Sequence, residues 1–318
     1  MGNLPEPRVT PSPPFSHCGV DYAGPFFTKE RRLKGCKTLK TYLCVFICFS
    51  TKAIHLEFVT DLTTDNFLAA LRRFISRRGK PQVMYSDNAT NFTRANKDLQ
   101  HLYEFLKANN SSITRNLNES CIKWNFIPPR TPNFGGIWEA NIKSVKRHLF
   151  KTIGETVLTL EEFYTLITQI EAVVNSRPLS PLSNDPTDLN PLTPGHFLIG
   201  RSLVAAPDEN LDGVPQNRLS YHQQIQLLVQ SFWKRWSEEY LHHLQHRPKW
   251  QKVNKNTYNI GTLVLLKEEG TPPGYWKMGR IEKLWPGSDG HVRVVSIRTQ
   301  SCVLKRSINK LCGIPLTT

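Results

Sequence analysis

Gly19-Val20-Asp21-Tyr22-Ala23-Gly24-Pro25-Phe26 and Thr41-Tyr42-Leu43-Cys44-Val45-Phe46-Ile47-Cys48-Phe49 are the two stretches that decide the fold. The second is almost wholly apolar, β-branched or aromatic over nine residues, the pattern of a strand covered on both faces. The first is a strand with a carboxylate set among apolar neighbours. Outward from this pair, Lys52 to Thr60 alternates, with Ile54, Leu56 and Phe58 against His55, Glu57 and Val59, and reads as a third strand. Thr64 opens a helix with Phe67, Leu68, Leu71, Phe74 and Ile75 on one face, halted at Gly79-Lys80-Pro81. Val83-Met84-Tyr85 is a short strand ending at Ser86-Asp87-Asn88. A helical stretch follows near Asp98 to Lys107, then a strand over Ile122 to Ile127. The order strand, strand, strand, helix, strand, helix, strand, helix specifies a mixed α/β plan.

Downstream, Pro128 to Gly136 reads as a loop, followed by helices from Ile137 to about Thr152 and from Leu160 to Asn175. Residues 177–220 hold seven prolines and read as a linker or wrapped arm. Tyr221 to about His246 is a helix carrying Ile225, Leu228, Phe232 and Trp236. Ile260 to Leu311 shows short alternating strands broken by Pro272-Pro273-Gly274 and Pro286 to Gly290, the signature of a small bent β-barrel. The first fourteen residues, with five prolines, form an extended lead-in. The expected organisation is a lead-in over 1–14, an α/β core over 15–176, a linker over 177–220, and a helix plus barrel over 221–318.

Charge and cysteine usage narrow the function. The formal net charge is +15 over 318 residues, and it is unevenly placed. Residues 1–176 carry 23 Lys/Arg against 15 Asp/Glu, residues 177–220 carry 3 against 5, and residues 221–318 carry 15 against 6. Two basic lobes favour a polyanionic partner, because each phosphate neutralised releases counterions. Seven scattered cysteines without a CxxC pair argue against a disulfide framework and for reduced thiols. His17-Cys18 and His242-His243-x-x-His246 lack partners at ligand spacing, so no zinc site is assigned. No apolar run reaches the ~20 residues of a membrane span, and no basic-then-apolar leader is seen, so the expectation is an intracellular, non-secreted protein. The Asn-x-Ser/Thr sequons are then chance matches.

Three carboxylates stand where chemistry is expected. Asp21 lies inside the first strand, Asp87 at the end of the fourth, and Glu139 at the start of a helix after a Gly/Pro loop. If the first and fourth strands are adjacent, the two aspartates come side by side, and the helix can bring Glu139 over them. Clustered carboxylates call for a neutralising cation, and hard oxygen donors suit Mg²⁺ or Mn²⁺. Each also has a plainer reading: Asp21 as a buried acceptor, Asp87-Asn88 as a turn, Glu139 as a helix-start charge. On the helix, Lys143, Lys146 and Arg147 share the face of Glu139, while Trp138, Ile142, Val145 and Leu149 form a core stripe.

The segments GVDYAGPF, YSDNATNF and NFGGIWEANIKSVKRHL together resemble the D,D-x-E catalytic core of retroelement integrases. VNSRPLSPLSND and LNPLTPGHFLIGRSL resemble the BEL/Pao family of LTR retrotransposons. The resemblance implies a ribonuclease-H-like mixed sheet with flanking helices and metal ligands at Asp21, Asp87 and Glu139. It implies DNA contacts at Asn88 and Asn91, which match the DN-x-x-N pattern, and at Lys143 and Lys146. The 51 residues between Asp87 and Glu139 exceed the retroviral pattern, with the excess expected in the polar stretch Asn109 to Ser120. The segment with Trp276, Lys277, Arg280, Lys283, Trp285, Arg293, Arg298, Lys305 and Arg306 resembles the Src-homology-type barrel that ends integrases. Lys277, Arg280, Arg293 and Arg298 are its expected DNA contacts. The implied protein is a homo-oligomeric, nuclear polynucleotidyl transferase acting on double-stranded DNA. The family's upstream zinc domain is missing from this chain, whose activity is on that ground expected to be impaired. The alternative is a non-enzymatic DNA- or chromatin-binding derivative.

Overall fold

The computed structural model describes residues 6–33, 35–87, 89–109, 122–126, 132–183, 185–203, 208–215, 218–245, 258–268 and 270–314, with the side chains of 7, 90, 102–109 and 132–141 outside that description. The chain divides into two compact units, Met1–Glu171 and Ala172–Thr318.

The first unit is built on a mixed sheet. A short helix α1 (Glu6–Val9) precedes β1 (His17–Lys29), β2 (Thr38–Cys48) and β3 (Ile54–Val59). Helix α2 (Thr64–Arg78), β4 (Val83–Ser86), α3 (Thr90–Asn109), β5 (Lys123–Phe126), α4 (Pro132–Ile153), β6 (Leu158–Thr159) and α5 (Leu160–Asn175) follow. The sheet order is β3-β2-β1-β4-β5, with β6 added beside β1. β1, β2 and β3 form an antiparallel meander, whereas β4 and β5 join parallel to β1. This is the mixed sheet with flanking helices that the sequence implies. The near-continuous apolar run of β2 is buried from Leu43 to Cys48, as a central strand requires. In β1, the register slips between Ala23 and Phe26. Gly24 sits there at φ 137°, and a Cβ would lie 2.8 Å from the Tyr42 ring, so only glycine fits.

The local signals explain the helix ends. Thr63 caps α2 by accepting the Asn66 N–H, and Gly79 closes it with its N–H on Ile75 O. The core clusters aromatic rings between sheet and helices: Phe46 stacks on Phe74 at 4.2 Å and Phe26 on Phe150 at 4.7 Å. One expectation is corrected here. Pro132 to Gly136 is not a loop but the opening of α4, where proline at the first position costs no hydrogen bond. The polar stretch Asn109 to Ser120 lies outside the described residues beyond Asn109.

In the second unit, β7 (Ser180–Pro181) pairs with β8 (Pro191–Leu192), and α6 (Pro194–Ile199) and α7 (Tyr221–Leu244) follow. Strands β9 (Leu263–Leu266), β10 (Met278–Pro286), β11 (Val292–Arg298), β12 (Val303–Ser307) and β13 (Leu311–Gly313) form an antiparallel sheet in the order β12-β11-β10-β9-β13. The segment expected as a small bent barrel is this five-stranded sheet, with no β12–β13 pairing among the described residues. Its core is Val264, Leu266, Ile281, Val295, Ile297 and Leu311.

Residues 177–220, expected as a linker or wrapped arm, fall within this second unit. Arg177 is buried, and the Tyr240 hydroxyl of α7 donates to Pro178 O. Trp276 Nε1–H donates to Ser176 Oγ at 3.2 Å. Proline density here reflects a wrapped path over a core, not a free spacer.

Candidate functional site

The site begins with strand register. β1 and β4 pair in parallel, His17 with Val83, Cys18 with Met84 and Gly19 with Tyr85. Two residues beyond the last pair stand Asp21, still on β1, and Asp87, one residue past the end of β4. This is the ligand-presenting edge of an α/β sheet.

Asp21 is a third exposed, at 33%. Its Oδ1 accepts the Tyr22 N–H at 2.7 Å, and its Oδ2 accepts the Lys146 ammonium of α4 at 2.6 Å. The carboxylate that looked expensive to bury is therefore neutralised. A partly exposed pair of this kind contributes below about 1 kcal/mol, so it orients α4 more than it holds it.

Asp87 is exposed, and its Oδ1 accepts the Ala89 N–H at 3.1 Å in an Asx turn leading into α3. Just before it, buried Ser86 donates to Asp87 O at 2.9 Å and accepts the Trp124 indole N–H of β5 at 2.9 Å. Ser86 and Trp124 fix where β4 stops and are positioning residues that no sequence signal singled out.

The backbone of Glu139 falls on α4, its side chain outside the described set. It precedes Lys146 by seven residues, two turns or about 10.5 Å, on the same helix face. Lys143 and Arg147 are exposed on that helix, while Ile142, Val145 and Leu149 are buried, as the periodicity requires. Asn88 lies outside the described residues. Asn91 is buried at 8% exposure in the first turn of α3, beside a core where Tyr22 stacks on Phe92 at 5.1 Å. Burial there pushes the Tyr22 phenol far above its ordinary range. Among the described side chains, no three His, Cys, Asp or Glu residues come together at metal-binding spacing.

In the second unit, the four expected DNA contacts are not equivalent. Arg280 is buried and donates to Asp188 O, Asp185 O and Gly261 O at 2.9–3.1 Å, organising a loop rather than facing a phosphate. Lys277 pairs with Glu268 at 2.6 Å, Arg293 with Asp289 at 2.5 Å, and Arg298 donates to Pro186 O at 2.8 Å. Arg280 is thus corrected to a structural role. Lys283 and Lys305, with no ion-pair partner among the described residues, both lie over the exposed Trp285 ring at 4.2 Å from its centroid.

A family model described as a family of unknown function, DUF5641, matches residues 220–314. No curated protein matches the chain. Among solved structures, one similar chain is from the simian T-cell lymphotropic virus intasome in complex with PP2A regulatory subunit B56 gamma. It is 12% identical with a TM-score of 0.40, and the match covers 100% of this chain and 85% of that one. Another is the HTLV-2 integrase catalytic core domain in complex with magnesium, 16% identical with a TM-score of 0.35, over 58% of this chain and 97% of that one.

Proposed function

We propose that this chain is a retroelement integrase of the BEL/Pao type, which processes element DNA 3′-ends and joins them to target DNA by in-line phosphoryl transfer. The observation that supports the reading is the parallel β1–β4 register, whose last pair, Gly19 with Tyr85, lies two residues before each motif aspartate. Mg²⁺ or Mn²⁺ would be held by Asp21, Asp87 and Glu139. The fit is supported by an all-oxygen donor set. When bound, the metal supplies charge stabilisation for the oxygens entering and leaving phosphorus.

The chain's own groups do the positioning. The Ala89 N–H orients Asp87, and the Ser86–Trp124 link holds its backbone. Lys146 neutralises Asp21, and exposed Lys143 and Arg147 present charge along the same helix for the phosphates of a DNA end. A homo-oligomer acting in the nucleus completes the proposal. The test is Mg²⁺-dependent strand transfer on oligonucleotides mimicking the element's ends. Asp21→Asn, Asp87→Asn and Glu139→Gln should each reduce joining to background while duplex affinity stays nearly unchanged. Near-normal joining by Glu139→Gln would overturn the ligand assignment.

The second reading, a DNA- or chromatin-binding protein without catalysis, is favoured by one observation: Lys146 occupies the Asp21 oxygen that a metal would need. Duplex binding without joining by the unaltered chain would select it.

A further inference from the structure

The outer face of β10, β11 and β12 holds a cluster that the catalytic reading does not use. A bulge creates it. Ile281 pairs with Ile297, but the next pair is Lys283 with Ser296, so Glu282 is the extra residue. Ile281 and Ile297 face the core. Without the slip, period-two alternation would send Glu282 and Leu284 outward and turn Lys283 and Trp285 in. The bulge reverses this, as bulges beside binding sites do.

Trp285 is consequently 39% exposed, yet it is not loose. Its indole N–H donates to Ser296 Oγ at 2.9 Å, which satisfies its polar atom and fixes the ring. Ser296 pairs in turn with Lys305, so Lys283, Ser296 and Lys305 lie in one row across three strands. The two ammoniums each sit 4.2 Å from the ring centroid. Neither has a carboxylate at ion-pair distance among the described residues, whereas Lys277, Arg306 and Arg293 on this sheet all do. A single exposed tryptophan is ordinary. A pinned one carrying two uncompensated cations is a surface for a ligand that is both planar and anionic.

We propose that this face binds single-stranded nucleic acid, with an unpaired base stacking at Trp285 and adjacent phosphates on Lys283 and Lys305. Two ammoniums repel cationic ligands. A duplex offers phosphates but keeps its base faces covered, so the ring selects unpaired nucleotides. The cluster belongs to the second unit and uses none of the three motif carboxylates, so a chain with no joining activity would retain it.

The experiment is fluorescence anisotropy of the full chain with a labelled oligothymidylate and with a duplex of equal length, across a salt series. Trp285→Ala should weaken single-strand binding about 5- to 150-fold, the range for one lost stacked base, with duplex binding and the salt slope unchanged. The Lys283→Ala/Lys305→Ala double variant should reduce the single-strand slope of log K against log salt by about 1.4, at ~0.7 per phosphate. Trp285→Phe, which keeps a ring, should recover part of the loss and serves if the alanine variant does not fold. Equal losses on duplex and single strand would reduce the face to a plain phosphate contact and overturn the proposal. So would no loss on either, which would leave an acidic protein as the fitting partner. Joining is read on Asp21→Asn and single-strand binding on Trp285→Ala, so failure of the catalytic reading and failure of this one are read separately.

Discussion

Glu57 is wholly buried, at 0% exposure, yet the alternation of β3 placed it with His55 on a polar face. That face is covered, and the cost is met by partners. His55 Nε2 contacts Glu57 Oε1 at 3.1 Å, Arg73 Nε donates to Oε2 at 2.6 Å, and Arg77 donates to Oε1 at 2.8 Å. His55 Nδ1 contacts Glu171 at 3.1 Å, and Arg78 also pairs with Glu171. Removing one member leaves uncompensated buried charge, so Glu57→Ala should lower stability by about 3–5 kcal/mol in urea unfolding. A loss below about 1 kcal/mol would show that water reaches the cluster. The network also predicts a pH window. Burial disfavours the His55 imidazolium, but bonds to Glu171 and Glu57 outweigh it and raise its pKa above 6.5. Its contribution is full below 6.5 and is lost as pH rises through the raised value. Burial would raise the Glu57 pKa, but bonds from His55 and Arg73 bring it below 4.5, so its contribution is present above 4.5 and lost as pH falls through the lowered value. The thermal midpoint should peak between these limits, and His55→Gln should flatten the decline on the alkaline side.

At the scale of elements, Arg280 shows how a wrapped segment is held. Its guanidinium collects the carbonyls of Asp185 and Asp188, while Asp188 Oδ1 accepts the Asn190 N–H at 2.9 Å and Ser183 donates to Oδ2 at 2.8 Å. Arg280→Ala should therefore speed amide exchange over residues 185–190 and cost about 1.5–3 kcal/mol, the range for lost hydrogen bonds to a charged group. Unchanged exchange would mean the loop holds itself. Sequence patterning could not show this, because β10 gives Arg280 an outward position and only the returning chain covers it. The same limit explains the reach of the sequence elsewhere. α2 and α5 were legible to within a residue or so, since Thr63, Gly79 and the Arg177-Pro178 stop act locally. The start of α4 was not, because Gly135-Gly136 reads as a loop wherever tertiary packing is unknown. The neighbouring of β1 and β4 was legible as a condition because strand order follows from a few topological rules, whereas the contacts of Lys146, Ser86 and Trp124 depend on side-chain meetings across long sequence separations.

For the molecule as a whole, a formal charge of +15 makes association with nucleic acid strongly dependent on ionic strength. If six or more phosphates are engaged, raising salt from 50 to 200 mM should weaken duplex binding about 10³-fold or more, and a flat titration would put the charge to some other use. No helix among the described residues is long and apolar enough to cross a membrane. The Asp21–Lys146 pair has a different, chain-wide consequence. Where ligands have no internal counter-ion, as in zinc modules, metal supply and folding are one event, and a chelator unfolds the protein. If the proposed metal site is right, a lysine stands in for the cation here, so the polypeptide can reach its native state before any ion arrives. Shortage of the ion would then yield intact, idle molecules instead of misfolded ones, ready to be switched on by dialysis rather than resynthesised.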